Sequence, residues 1–335
     1  MQLSDCSEAE RQALAVLTER LGRSHVRQRL GIEGDHEADI VRRGTHFFHL
    51  ENWPAAQGLL RALLTATGLR GMARRNAQRI EARQNTVHLQ RLPAAFHGLC
   101  VLHLSDLHLD SSPEFVTHVM ECVRPLRFDV CVMTGDFRYR THGAYAPALD
   151  ALARLRPLLG DAVYAVLGNH DTIRMVAGME TLDIRVLMNE SVRLKRGAAA
   201  LVLSGIDDAH YYRTHNLEKA AQAIAHDDCA ILLSHTPEPY RHAAHGDFDL
   251  MLCGHTHGGQ ICLPSGIPIL TDSDAPRALA RGAWRYHGMV GYTSVGCGVS
   301  IVEARLNCPP EVTLHHLHST SPPDRSSDTS IRALS

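Results

Sequence analysis

The sequence predicts an α/β fold preceded by a helical extension. Two observations carry this. Short apolar runs of strand length alternate with segments whose apolar residues recur at helical spacing, the pattern of a sheet with crossover helices. The residues able to do chemistry fall just after those runs, where ligands of such sheets bind.

The extension comprises residues 1–96. Ser7 and Glu10 have the spacing of a capping box, Leu14, Leu17 and Leu21 follow at helical intervals, and Gly22 is a stop signal, so a first helix is expected there. Further on, Phe47, Phe48, Trp53, Leu59, Leu60, Leu63, Leu64 and Leu69 stand beside Arg61, Arg70, Arg74, Arg75, Arg79 and Arg83. A basic amphipathic stretch of this kind suits an anionic membrane surface, which makes residues 45–85 a candidate for peripheral membrane contact. The competing reading is an ordinary helical cap with solvated arginines. Pro54 and Gly58 argue against one continuous helix.

The central unit, residues 97–318, has apolar runs from Cys100 to Leu104, Val130 to Met133, Ala162 to Leu167, Ala230 to Leu233 and Leu250 to Cys253. Between them, Phe115, Val116, Val119, Met120 and Val123, then Leu149, Leu152, Leu155 and Leu159, repeat at helical spacing. A hairpin-like run from Val192 to Ile206 and a last strand near Val312 complete the unit. The tail, 319–335, is rich in Ser, Pro and Asp and is expected to be disordered.

Composition sets limits. The chain has 335 residues, 44% of them apolar, enough for a sizeable core, and a formal charge of −2. No global charge asymmetry points to nucleic acid as a partner. Nine scattered cysteines without a C-x-x-C pair read as reduced, mostly buried thiols in a cytoplasmic protein. The polar N-terminus does not resemble a secretory signal, and no stretch approaches the ~20 apolar residues of a membrane span. The expected location is therefore cytoplasmic, with the inner membrane face as the possible docking site of residues 45–85. Histidine is abundant, at 23 residues.

Five fragments follow the strand-like runs: Ser105-Asp106-Leu107-His108, Gly135-Asp136, Gly168-Asn169-His170-Asp171, Ser234-His235 and Gly254-His255-Thr256-His257. Singly, each reads as a turn, a helix cap or a satisfied polar residue. Together they supply carboxylate, imidazole and amide donors at strand ends.

Their order, D-x-H, G-D, G-N-H-D, H and G-H-x-H, resembles the calcineurin-like metallophosphoesterase superfamily. The resemblance spans about Leu99 to Leu317. Gly254-His-Thr-His-Gly-Gly-Gln260 and Arg305-Leu-Asn-Cys-Pro-Pro-Glu-Val-Thr-Leu314 are similar to the bacterial YkuE-like branch. The resemblance implies a four-layer α/β/β/α sandwich. It further implies that Asp106, His108 and His257 hold one divalent metal, that Asn169, His235 and His255 hold a second, and that Asp136 bridges them. In the family pattern His170 faces the phosphate and protonates the leaving oxygen or stabilises its charge, and Asp171 is expected to orient that imidazole and raise its pKa. Residues two apart in Asp106-x-His108 and His255-x-His257 are expected to share a face by strand alternation. The glycines at 135, 168, 254, 258 and 259 fit tight turns and close backbone approach.

Charge explains such a ligand set. Two divalent ions, offset by Asp106, Asp136 and a bridging hydroxide, leave one net positive charge, which a phosphodiester monoanion neutralises. Paired ions lower the pKa of the shared water and clamp the phosphoryl oxygens. Nitrogen and oxygen donors without thiolate favour Mn, Fe or Zn. Arg138 and Arg140 are weaker candidates for holding a substrate phosphate, with solvated loop arginines as the alternative. Asp207 and Asp208 could border the site but are read in preference as a turn, Cys253 reads as core, and His315, His316 and His318 receive no role.

The expected function is a dinuclear metal-dependent phosphoesterase acting on a phosphodiester or pyrophosphate by attack of the metal-bridging hydroxide. A lipid-linked substrate, such as UDP-2,3-diacylglucosamine or a phospholipid, is favoured by the basic amphipathic extension. The alternatives are a nucleotide or cyclic-nucleotide phosphodiesterase and a non-catalytic scaffold on the same fold.

Overall fold

A computed structural model describes residues 7–43, 54–300, 302–320 and 332–334. The capping box forms as its spacing predicts: the Ser7 hydroxyl accepts from the Glu10 N–H and the Glu10 carboxylate accepts from the Ser7 N–H. It starts α1 (Glu8–Leu21), whose Leu14, Leu17 and Leu21 are buried, and Gly22, at φ 94°, ends it. A longer helix, α2 (Arg23–Arg43), follows. The sequence gives little sign of α2, because it is polar almost all round. Its most buried side chain, Arg29, is held by the Glu33 and Asp207 carboxylates and lies over the Tyr212 ring.

The basic amphipathic stretch folds as two short helices, α3 (Pro54–Ala66) and α4 (Arg70–Ala77), broken at Gly68 with φ 69°. Phe47, Phe48 and Trp53 lie outside the described residues. One departure concerns the end of the extension. Glu81–Leu89 is a strand, β1, and not a helix. It exposes one polar face at a sheet edge and buries only Val87 and Leu89, so its apolar signal is weak.

The remaining elements alternate as expected. They are β2 (Leu99–Leu104), α5 (Phe115–Val123), β3 (Val130–Met133), α6 (Ala146–Leu155), β4 (Val163–Ala165), α7 (Met175–Thr181), β5 (Arg185–Val186), β6 (Glu190–Arg196), β7 (Ala199–Gly205), α8 (Leu217–Ala221), β8 (Ala230–Leu233), α9 (Tyr240–His245), β9 (Leu250–Cys253), β10 (Gly282–Tyr286), β11 (Met289–Thr293) and β12 (Glu311–Ser319). In the tail, where no regular structure was expected, Arg332–Leu334 forms β13 and pairs antiparallel with β6.

Two sheets result, ordered β1-β12-β2-β3-β4-β5 and β10-β11-β9-β8-β7-β6-β13. In the first, β2, β3, β4 and β5 run parallel, and in the second β7, β8, β9 and β11 do. Strand alternation divides the side chains between layers. Leu99 and Val101 of β2 pack with Val130, Val132, Leu203, Ile231 and Leu252 in an apolar layer between the sheets. Cys100, Leu102 and Leu104 face the opposite way, toward α1, α5, α6 and α7. A third cluster places α8 and α9 on the outer face of the second sheet. The order helices, sheet, sheet, helices is the four-layer sandwich. The described cysteines are free, all buried except half-buried Cys122.

Candidate metal centre

The carboxyl ends of β2, β3 and β4 in one sheet and of β8 and β9 in the other meet at one place. Each releases a short loop there, and the five fragments of the sequence lie on those loops. The loops are tight. Asp106, His108, Asp136, His255 and His257 all have φ between 42° and 71°, the left-handed region that non-glycine residues rarely enter. This corrects the expectation of strand alternation. The paired residues share a side because the chain curls at each of them, and not because it is extended. Glycine is required beside them: a Cβ on Gly254 would collide with the Ser105 hydroxyl and the Asp106 carboxylate, and one on Gly168 with Asp136 Oδ1.

All seven expected ligands are buried and converge. Asp106, His108 and His257 bring donor atoms within 4.8 Å of one another, as do Asp136, His235 and His255. Asp136 lies between the two groups: Oδ1 is 3.4 Å from His235 Nε2 and Oδ2 is 3.8 Å from both His108 Nε2 and His170 Nε2. Asn169 Oδ1 is 2.8 Å from His235 Nε2. Main-chain carbonyls fix the rings. His108 Nδ1 is 2.9 Å from Arg138 O, His235 Nδ1 is 2.7 Å from Thr134 O, and His170 Nδ1 is 2.6 Å from Tyr139 O. A carbonyl only accepts, so the proton sits on Nδ1 and Nε2 is turned to the cluster.

Electrostatics favour cations here. Burial opposes ionisation of Asp136, but His235, His170 and His108 overcome it and hold its carboxyl well below the usual range. Burial, reinforced by the nearby Asp136 charge, pushes Asp106 up to about 6. His235 rises to about 10 against its own burial because Asp136 faces it, whereas burial and positive neighbours keep His255 and His257 neutral. A proton on His235 and a divalent ion compete for the same lone pair. His255 Nε2, buried and without a hydrogen-bond partner, is a further donor. Carboxylate, amide oxygen and neutral imidazole in two groups, without thiolate, fit two divalent ions.

Two expectations about neighbouring residues change. The Asp171 carboxylate does not meet the His170 imidazole. It accepts the main-chain N–H groups of Gly168, Asp136, Phe137 and Arg138, at 2.8 to 3.4 Å, and so ties the loops after β3 and β4 together. Arg138 is buried, and its guanidinium donates to the carbonyls of His170, Gly143 and Thr141, which braces the loop instead of leaving it free for a substrate. Arg140 is exposed.

Other supporting residues gave no sign of their role, Arg305 included, although it opens the 305–314 motif. Arg305 donates to the carbonyls of His257, Val295 and Gly298, fixing the last ligand from behind. The carbonyls of Thr134, Arg138 and Tyr139 are contributed by backbone, which any residue type supplies. His210 lies at the rim, its ring 4.4 Å from that of His255 and Nδ1 2.7 Å from Glu238. Asp207 and Asp208 are buried, and Asp208 adds to the negative surroundings that raise His235. Asp208 accepts from the N–H groups of His210, Tyr211 and Tyr212.

A model of the calcineurin-like phosphoesterase family matches residues 100–259. The chain is 32% identical to the uncharacterized metallophosphoesterase YkoQ of Bacillus subtilis, over 73% of this chain and 93% of that protein. It is 27% identical to the uncharacterized metallophosphoesterase YkuE of the same organism, over 77% and 93%. It is 28% identical to the phosphodiesterase YaeI of Escherichia coli, over 65% and 81%.

Proposed function

The chain belongs to the calcineurin-like phosphoesterase family and is a hydrolase of phosphoester bonds, and within that class we propose that it cleaves a phosphodiester or pyrophosphate at a centre of two divalent ions. The observation that carries this reading is the convergence of Asp106, His108 and His257, and of Asp136, His235 and His255 with Asn169 alongside, on either side of one carboxylate. Asp106, His108 and His257 would hold one ion, Asn169, His235 and His255 the other, and Asp136 both. Such a pair, when bound, supplies Lewis-acid charge for the phosphoryl oxygens and acidifies a water molecule; Mn, Fe or Zn suits these donors.

The chain's own residues do the rest. His170, pinned through Nδ1 on the Tyr139 carbonyl, presents Nε2 toward Asp136 and is the group placed to pass a proton to the leaving oxygen. Asp171 acts through the backbone: it holds the Gly168 to Asp171 turn against the Asp136 loop, and so keeps His170 in register with the ligands. Arg140 is the exposed cation placed near enough in sequence to meet a substrate phosphate.

The proposed substrate is lipid-linked, such as a nucleoside-diphosphate-activated lipid or a phospholipid. Residues 45–85 would provide peripheral membrane contact. Among the described residues no helix is long and apolar enough to cross a membrane. The test is a panel at saturating Mn²⁺: bis-p-nitrophenyl phosphate, p-nitrophenyl phosphate, UDP-2,3-diacylglucosamine, phospholipid vesicles and cyclic nucleotides. The expected result is diester cleavage at least about tenfold faster than monoester cleavage, with a lipid-linked compound preferred over cyclic nucleotides. Preference for the monoester, or for a cyclic nucleotide, would overturn the assignment.

A further inference from the structure

Large apolar side chains left on the surface are concentrated in two places. On α3 and α4, Leu59, Leu63, Leu69 and Met72 are exposed, while Leu60, Leu64 and Ala73 turn inward against Val302, Ala304 and Leu306. In the loop after the last ligand, Leu263, Ile267, Ile269 and Leu270 are each about half exposed or more. Among the described residues the only other large apolar side chain so exposed is Val16.

Short connections make these two patches neighbours. Arg305 N donates to Ala73 O in the middle of α4, and Leu306 pairs with the first residues of the loop through Leu306 N to Gln260 O and Cys262 N to Leu306 O. The loop is folded and held at both ends. Cys262 bridges to Pro268, Leu263 N donates to Ile267 O, and the Ser273 hydroxyl and Asp274 N–H end on the Glu238 carboxylate. The same Arg305 grips the carbonyl of His257. The apolar surface is thus built directly on the residues that position a metal ligand.

Its charge is predominantly positive. Residues 58–79 contain Arg61, Arg70, Arg74, Arg75 and Arg79, all exposed, and no Asp or Glu. Residues 258–271 contain no charged side chain, and the half-buried Asp272 that closes the loop lies beside His210. Pairing of this face with a second copy about a twofold axis would set these arginines against each other, an arrangement that like charge disfavours. Arg74 pairs with Glu303 at 3.1 Å, which leaves Arg61, Arg70, Arg75 and Arg79 as a surplus of positive charge, and apolar side chains bordered by such a surplus are the signature of an anionic lipid interface.

We propose that the α3–α4 hairpin and the 262–272 loop form one docking face that seats on an anionic phospholipid bilayer, with Ile267, Ile269 and Leu270 entering the headgroup region and the arginines meeting lipid phosphates. The proposal deepens the lipid-linked reading above and rests on it for the choice of partner, while adding a loop outside residues 45–85 as the second point of attachment.

The test is sedimentation of the full chain with vesicles of phosphatidylcholine alone or mixed with phosphatidylglycerol, at low and high salt. Two variants are compared, I267S/I269S/L270S and R70E/R75E, and each is assayed in solution on bis-p-nitrophenyl phosphate. The expected result is binding to the anionic vesicles only, weakened by salt, and reduced at least about tenfold by either variant, with solution hydrolysis held within about twofold. The proposal is overturned if the wild-type chain ignores anionic vesicles or the loop variant binds undiminished. It is equally overturned if the chain forms a dimer that the loop variant abolishes. Vesicle binding that follows this pattern in a chain without diesterase activity would uphold the docking face and reject the proposed reaction.

Discussion

Asp106, His108, Asp136, His255 and His257 all occupy left-handed backbone, at φ of 50°, 42°, 59°, 71° and 49°. A residue there is strained by roughly 1–3 kcal/mol, and the surroundings must hold it. At this centre the holding is shared: Asp106 N and His108 N donate to the carbonyls of Gly135 and Asp136, and Asp136 N and His255 N donate to the carboxylates of Asp171 and Asp106, Asp171 collecting the most such bonds. Residues 170 and 171 therefore separate two roles that adjacency in sequence blurs. In His170→Ala, both ions should remain bound and turnover should fall by about a hundredfold or more. In Asp171→Asn the amide cannot accept from all the N–H groups that converge on the carboxylate, so metal content and melting temperature should fall together. Elemental analysis with parallel melting curves distinguishes them, and loss of metal in His170→Ala would contradict its assignment. The candidate ligands stand out in the sequence because the chemistry proposed for them restricts them to Asp, Asn and His. The carbonyls that orient them were not, and neither was the role of Asp171, because its partners are main-chain groups that leave no mark on the residue pattern.

Helix α2, packed on α1, braces the loop after β4 from outside the matched family region. Glu33 accepts from the Thr172 hydroxyl and the Ile173 N–H, and Arg29 donates to the Asp171 carbonyl. The attachment depends on the buried face of α1, so Leu17→Ala should destabilise the chain by about 2–4 kcal/mol, measured by denaturant unfolding. A loss of less than about 1 kcal/mol would mean that α1 is not part of the cooperative core. Helix α1 could be read from its cap and leucine spacing, and the central strands from their apolar runs. Helix α2 could not, since it docks through a buried arginine and not through an apolar stripe. Strand β1 was missed for the related reason that an edge strand needs only two apolar side chains on its inner face.

At the scale of the whole molecule, a buried charge network joins the extension to the second sheet. Burial opposes ionisation of Asp207, but the Arg29 guanidinium, the His25 ring and the Thr214 hydroxyl hold its carboxyl well below the usual range. A depressed carboxylate stabilises the fold fully above the unfolded value of about 4, and that contribution is lost as pH falls through the folded value. Asp207→Asn should therefore be less stable than wild type by about 3 kcal/mol at neutral pH, with the gap narrowing as the pH is lowered below about 4. Denaturant unfolding across pH checks this, and a gap independent of pH would contradict it. Both sheets also contribute candidate ligands to one cluster, so the proposed reaction would depend on the packing of the same two sheets.

The most direct test of that centre is metal content and bis-p-nitrophenyl phosphate hydrolysis measured on the same preparations of wild type and Asp136→Asn. The account predicts two divalent ions per chain and metal-dependent hydrolysis in the wild type, with at least about a hundredfold loss in Asp136→Asn. Hydrolysis that survives the substitution unchanged, or a wild-type chain that takes up no divalent ion on reconstitution, would contradict it.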